Sequence, residues 1–259
     1  MTENKEQSSE TPGFIKLFRF ERTVMAAIIT GSAAFAAGSG ISHALLLALA
    51  GWCVAVGGFS LDRVTRLFSL FFIAAGILVT FLVNAGSLIP LAVILVLVIA
   101  TALAIFTRPL VRTLILGLLH ALHLLMGSMV GELNLPVIML AAVLFFAIVG
   151  ARGIIDIRNW EQDMMSGKKT LVTLFKLSGT VKLSIVCFLL AYAALIGTYF
   201  VGQFRLLYLY PAVILALAGI VCIFLFVKKA GPAMARKLTP FFTTATVFLV
   251  CLAMVLGSL

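Results

Sequence analysis

The three aspartates of the chain stand where chemistry with metal ions or phosphates could take place. Asp62, Asp156 and Asp163 each lie where a long apolar stretch ends beside Arg and Lys residues. A carboxylate next to the hydrocarbon region of a membrane is costly unless it binds a metal ion, pairs with a cation or reaches water. The placement therefore predicts a site for an anionic ligand at one membrane face.

The polar residues around the second and third aspartates are spaced as one face of a helix. Positions i, i+4, i+7 and i+11 are occupied by Arg152, Asp156, Asn159 and Asp163. Carboxylates with an amide between them offer the hard oxygen ligands that suit Mg²⁺, which completes its shell with phosphate oxygens. Lys168 and Lys169 follow directly and would neutralise a departing phosphate. The same spacing fits a solvated helix extension with a salt bridge between Arg152 and Asp156, and it leaves both interpretations open.

The elements that position these residues are membrane helices. Hydrophobic residues make up 63% of the 259 residues, charged residues only 11%, and the mean hydropathy is +1.22, a composition that indicates a polytopic membrane protein. We predict an all-α bundle of nine transmembrane helices around a central cavity, a single domain over residues 14–259, and a disordered cytoplasmic tail over residues 1–13. Apolar runs of about 20 residues are centred near Ile28, Leu49, Ala74, Leu95, Leu119, Leu144, Leu190, Leu215 and Phe248.

The basic residues predict how this bundle sits in the membrane. With the amino terminus in the cytoplasm and nine helices, Arg205 is the one residue of the 19 Lys and Arg that lies outside, as the positive-inside rule requires. The carboxy terminus then lies outside, and in a bacterium the membrane is the inner one. The net charge of +10 reflects this topology and an attraction to anionic lipids or a phosphorylated substrate, and it makes no case for nucleic acid.

Two histidines lie one helical turn apart in the fifth predicted helix. His120 and His123 could suggest ligands for haem or a divalent metal, but paired ligation needs a partner from another helix, and His43 is predicted near the opposite membrane face. We therefore expect these histidines to form hydrogen bonds between helices or to line a substrate cavity.

The run from Asp156 to Val172, followed by Leu177-Ser-Gly179, resembles the second aspartate-rich motif of the UbiA superfamily of intramembrane prenyltransferases. The likeness is greatest to the chlorophyll synthase and menaquinone branches, and the segment 107–112 resembles the start of the family's fifth helix. The resemblance implies nine helices with the amino terminus inside. It also implies two aspartate-rich motifs that hold Mg²⁺ and the diphosphate of an isoprenoid donor at the cytoplasmic mouth of a cavity.

This resemblance also assigns roles to residues. The catalytic and metal-binding carboxylates would be Asp62, Asp156 and Asp163. Lys168 or Lys169 would contact the substrate diphosphate, and Asn159 would support the carboxylates. Beyond the resemblance, we predict that Arg66, Arg152 and Asn159 also contact the diphosphate. Ionisation of the allylic carbon–oxygen bond would leave a carbocation that a hydrophobic acceptor, aromatic or lipid, captures.

The chain departs from the family in its first motif. The stretch from Gly58 to Arg66 keeps only Asp62 of the expected aspartates, and Arg66 stands where the last carboxylate should be. In one interpretation Arg66 replaces the charge of one Mg²⁺, and transfer proceeds with one ion rather than two. In another the chain is a non-catalytic relative that binds lipid or a partner protein. A small transporter is a third, less favoured, hypothesis, because no predicted helix centre carries a carboxylate.

Overall fold

A computed structural model of the chain describes residues 20–60, 66–102, 108–131, 133–202 and 204–259. Helix makes up 89% of these residues, and they contain no strand, so the prediction of an all-α protein is confirmed. The predicted tail over residues 1–13 and the segment that carries Asp62 lie outside the described residues.

The helices follow one another with short connections, as the alternation of apolar runs and polar loops requires. A 3₁₀ turn spans Ala85–Ser87, another spans Leu206–Tyr208, and a π-helical turn over Phe241–Ala245 joins the last two helices. The helices are α1 (Phe20–Ala36), α2 (Ile41–Ser60), α3 (Arg66–Val83), α4 (Leu88–Ala102), α5 (Pro109–Ser128), α6 (Leu135–Arg158), α7 (Trp160–Met165), α8 (Leu171–Val201), α9 (Leu209–Lys228), α10 (Pro232–Pro240) and α11 (Thr246–Ser258).

The protein is a multi-pass integral membrane protein. In the part of the chain that the structure describes, six helical segments are long and apolar enough to cross a membrane, and three further apolar helices, Thr23–Ala36, Phe68–Val83 and Ala85–Thr101, are shorter. Each predicted centre lies in one of these segments. The predicted count of nine membrane-spanning helices is not confirmed, because three of the segments are short and because α7 and α10 are additional helices.

Small residues set the closest helix contacts. A side chain at Gly127 of α5 would collide with the backbone carbonyl of Thr30 on α1, and one at Gly153 of α6 would collide with the Ser184 hydroxyl on α8. Glycine at both positions lets the helix backbones approach closely, which is how helices associate where lipid provides no hydrophobic driving force. These contacts fix α1 against α5 and α6 against α8 around the centre of the bundle.

Candidate functional site

The chain reverses direction between α6 and α8, and this turn positions the second and third aspartates. Asn159 leaves helical geometry (φ −96°, ψ 5°) between α6 and α7, so the predicted continuous helical face is interrupted there. Gly167, at φ +66°, follows α7 and takes a left-handed conformation that favours glycine. Thr170 is extended (φ −131°, ψ 175°) and begins α8, and its backbone N–H donates to Thr173 Oγ1 at 2.9 Å. The start of α8 is thereby brought against the last turn of α6.

Asp156 connects α6 to the amino terminus of α8. Its carboxylate is 2% exposed, and its Oδ2 accepts a hydrogen bond of 2.9 Å from the Leu171 backbone N–H. Its Oδ1 lies 2.9 Å from Arg152 Nη2, one turn back on the same helix. The carboxylate therefore has two positive partners, a guanidinium and the positive end of the α8 dipole.

Asp163 pairs with the first of the two lysines. Its Oδ1 lies 3.0 Å from Lys168 Nζ, while its Oδ2 is buried and has no hydrogen-bond partner among the described residues. Asp163 and Lys168 both lie close enough to Asp156 for their charges to interact with its carboxylate. Arg152, Asp156, Asp163 and Lys168 thus form one charged cluster, which we call the acidic junction.

The other predicted site residues are not part of the acidic junction. Asn159 accepts a hydrogen bond of 3.1 Å from Arg158 Nε through its side-chain oxygen, and Lys169 is exposed beside the acidic junction. Arg66 begins α3, with no description of its side chain, and Asp62 lies outside the described residues. The junction therefore brings together four of the predicted residues, and their proposed convergence with Asp62 stays a prediction.

A cavity of about 290 Å³ opens beside the junction, between α1, α5, α6 and the α10 end. Its polar groups are two guanidiniums, an imidazole and two threonine hydroxyls, and the rest of its lining is mainly aliphatic. The lining residues are Met25, Leu116, His120, Ile148, Ala151, Arg152, Ile155, Arg158, Thr239, Pro240 and Thr243. A cavity with an apolar body and cationic groups on one of its walls suits an amphiphilic anion.

Sequence reasoning missed Arg158, Thr239 and Thr243 as cavity residues. Arg158 follows Arg152 and Ile155 at three-residue steps along α6, a signal that was present in the sequence. Thr239 lies in the last turn of α10, and Thr243 lies in the π-helical turn after Pro240, where its Oγ1 donates to the Thr239 carbonyl at 2.8 Å. Such turns recur at functional sites, but only the proline hints at this one in the sequence.

A second, much smaller cavity of about 30 Å³ shares Leu116 and His120 with the first. His123 lines it, with its Nδ1 2.7 Å from the Leu119 carbonyl and its buried Nε2 unpartnered within the described part of the chain. Gly58, near the end of α2, lines it as well. The expectation that the histidine pair lines a cavity fits this geometry, and the end of α2 near Asp62 lies beside the same space.

The carboxylates can hold a metal ion only if other groups, such as substrate phosphates and water, supply the remaining ligands. Among the residues described, no three of the His, Cys, Asp and Glu side chains lie close enough to hold an ion by themselves. Within the described residues, two buried carboxylate oxygens lack a hydrogen-bond partner, Asp163 Oδ2 and Asp156 Oδ1, and the second of them is ion-paired with Arg152. Mg²⁺ accepts such an arrangement, because it binds through one or two carboxylates and takes further oxygens from substrate phosphates and water.

No model of a known protein family matches the sequence, and no curated protein matches it either. Solved structures do share the fold. A digeranylgeranylglyceryl phosphate synthase superposes with a TM-score of 0.78 at 18% identity, covering 95% of this chain and 97% of the synthase. A UbiA homologue from Aeropyrum pernix gives 0.69 at 16% identity, with coverages of 92% and 98%. A UbiA homologue from Archaeoglobus fulgidus bound to DMAPP and Mg²⁺ gives 0.71 at 11% identity, with coverages of 93% and 98%.

These structures show that the chain has the fold of the UbiA prenyltransferase homologues, so the resemblance seen in the second motif is confirmed at the level of the fold. The Archaeoglobus homologue has also been solved with GPP and Mg²⁺ and with Cd²⁺.

Proposed function

We propose that the protein is a prenyltransferase that moves a prenyl group from an isoprenoid diphosphate to a hydrophobic acceptor, aromatic or lipid. The observation that carries the proposal is the cavity inside the bundle, with its aliphatic walls and the guanidiniums of Arg152 and Arg158. The fold is shared with a homologue that binds DMAPP and Mg²⁺, which supports the same ligand class here.

The basic groups bind the diphosphate in this proposal. Arg152 and Arg158 can each chelate phosphate oxygens through two N–H groups. Lys169 is exposed beside them, and Lys168, whose side chain is 49% exposed, can turn from Asp163 to the diphosphate. As carbon and oxygen separate, these cations stabilise the charge that grows on the leaving diphosphate.

The carboxylates hold the metal in this proposal. Asp156 and Asp163, completed by Asp62 from the segment after α2, are the proposed ligands of one or two Mg²⁺ ions, and Asn159 and Arg66 support the bound diphosphate. Mg²⁺ supplies Lewis-acid neutralisation of the diphosphate when it is bound. The side chains of Ile148 and Ile155 surround the prenyl group and keep water from the allylic cation until the acceptor captures it.

Diphosphate release from purified protein in lipid nanodiscs tests this proposal. We expect Mg²⁺-dependent release from DMAPP or GPP, about tenfold or more slower in Arg158→Ala, because a hydrogen bond to a charged group contributes about 1.5–3 kcal/mol. Lys229→Ala removes an exposed basic residue that does not line the cavity and should leave the rate unchanged. Equal rates in Arg158→Ala and the parent protein would refute the role of the cavity.

A second candidate function is a non-catalytic relative that binds lipid. The acidic junction favours it, because Arg152 and Lys168 already neutralise the two aspartates. Tight binding of GPP without turnover, at any Mg²⁺ concentration, would support this alternative, whereas solute flux into vesicles would support a transporter.

We also propose that the acidic junction faces the cytoplasm, with the amino terminus inside and the carboxy terminus outside. A cysteine in place of exposed Lys169 should then react with a membrane-impermeant reagent only after the cell is opened. A cysteine in place of Ser258, at the end of α11, should react in intact spheroplasts. The opposite pattern would reverse the topology.

A further inference from the structure

Two cavities of similar volume lie one behind the other within the bundle. The first, of about 290 Å³, is the proposed donor cavity, and the second, of about 300 Å³, opens near the other ends of the same helices. Along α1 the first cavity is lined by Met25 and the second by Ala33. Along α6 the first is lined by Ile148 and the second by Leu140.

A thin apolar partition separates them. Ile29 lies four residues from both Met25 and Ala33, and Leu144 lies four residues from both Ile148 and Leu140, so each faces the axis that joins the cavities. Both side chains are 0% exposed.

Val250, four residues before Met254 of the second cavity, completes the partition from α11 and is also 0% exposed. Ile29, Leu144 and Val250 belong to one buried cluster, and we call them the apolar layer. Along α1 and α6 the two cavity linings are eight residues apart, about 12 Å at 1.5 Å per residue, and on α5 His120 of the first cavity and Leu124 of the second are one turn apart. The layer is therefore one side chain thick.

We infer that the apolar layer closes the far end of the donor cavity and limits the length of the prenyl chain that the protein accepts. The inference rests on the proposed function, because the diphosphate must first bind at Arg152 and Arg158. A prenyl chain anchored there runs along the α6 face from Ile155 past Ile148 and meets Leu144.

The distances favour a short donor. Arg152 and Leu144 are eight residues apart on α6, again about 12 Å along the helix axis, which suits a geranyl chain better than a geranylgeranyl chain. A volume of about 290 Å³ is also just below the range for small-ligand sites, about 300–1,000 Å³. A longer chain would have to displace Leu144 or Ile29, whereas shortening either side chain opens the way to the second cavity.

The test compares binding of GPP and geranylgeranyl diphosphate to the full-length protein in nanodiscs, by calorimetry and then by diphosphate release. We expect the parent protein to bind GPP about tenfold or more tightly than geranylgeranyl diphosphate, because a closed apolar pocket excludes added methylenes by about this factor or more. Leu144→Ala and Ile29→Ala should each lower the preference for GPP about tenfold. The two diphosphates would then bind about equally, or geranylgeranyl diphosphate would bind more tightly.

Leu195→Ala is the matched control. This residue of α8 is 0% exposed, belongs to the same cluster and lines neither cavity, so its truncation should leave the preference unchanged. If the Leu144→Ala protein does not fold, Ile148→Phe tests the same idea from the other direction. It shortens the cavity and should weaken the binding of GPP more than that of DMAPP.

The outcomes separate the two proposals. If the parent protein binds no prenyl diphosphate, the proposed function fails. If it binds GPP and geranylgeranyl diphosphate equally well, or if the layer variants change the preference no more than Leu195→Ala does, the function stands and the apolar layer is not the length determinant.

Discussion

Replacement of Asp156 by alanine removes the hydrogen bond that ties α6 to α8 and an ion pair within α6. The variant loses the hydrogen bond from the Leu171 N–H, 2.9 Å long, and the ion pair with Arg152, also 2.9 Å. Loss of a side chain that caps a helix amino terminus costs about 1 kcal/mol. Breaking a fully buried ion pair costs about 3–5 kcal/mol, but Arg152 keeps 21% of its side chain exposed. We therefore assign about 1–2 kcal/mol to the pair and about 2–3 kcal/mol to the substitution as a whole.

Asp156→Asn separates the two contributions. The amide oxygen can still accept from Leu171 N–H, but the charge that pairs with Arg152 is lost, so we expect the smaller loss of about 1–2 kcal/mol assigned to the pair. In a double-mutant cycle with Arg152→Met, the coupling energy between the two positions should be about 1 kcal/mol.

The assay is unfolding of the purified protein by SDS in mixed micelles, followed by helix content, with diphosphate release measured on the same samples. An Asp156→Ala protein as stable as the parent, or an Asp156→Asn protein as unstable as Asp156→Ala, would contradict these roles of the carboxylate. A fully stable Asp156→Ala protein without turnover would mean that the carboxylate serves the ligand alone.

Three further variants test other features of the structure. Lys176 has φ +60° and ψ 172° inside α8, so Lys176→Gly should be about 1 kcal/mol more stable than Lys176→Ala; equal thermal unfolding of the two variants would contradict the strain. Gly127→Ala introduces a methyl group that overlaps the Thr30 carbonyl and should lower the free energy of unfolding by about 1–3 kcal/mol. Unchanged stability of this variant would contradict the overlap. His123→Leu removes a buried acceptor without a described partner and should change stability by less than about 1 kcal/mol; a larger loss would show that Nε2 is satisfied in solution.

The sequence was sufficient for the class of fold, because a membrane helix must be a long apolar run. The centres near Leu119 and Leu144, for example, fall inside α5 and α6. The i,i+4 spacing of Arg152 and Asp156 also predicted their ion pair. This pair belonged to one of the two interpretations of the polar helix face from Arg152 to Asp163.

The cavity could not be predicted in the same way, because it depends on packing between distant segments. Arg158 and Thr243 line one cavity only because α6 packs beside the π-helical turn. The positive φ of Lys176 has no local signal either, since the residue is not the glycine that such backbone geometry favours. The break at Asn159 occurs at a negative φ that any residue can adopt, so its residue type gives no signal.

The length of α8 has a consequence for where the acidic junction sits in the bilayer. The backbone leaves helical geometry at Lys176, so the long helical part is residues 177–201, which measure about 38 Å against a hydrocarbon thickness of about 30 Å. This part must tilt, and the bend at Lys176 offers the place where the chain leaves the acyl region. Leu174 and Phe175 before the bend, and Met164 and Met165 of α7, are exposed. These side chains can insert among the lipid head groups and anchor the turn between α6 and α8 at the membrane surface. The geometry of the acidic junction would then depend on the surrounding lipid.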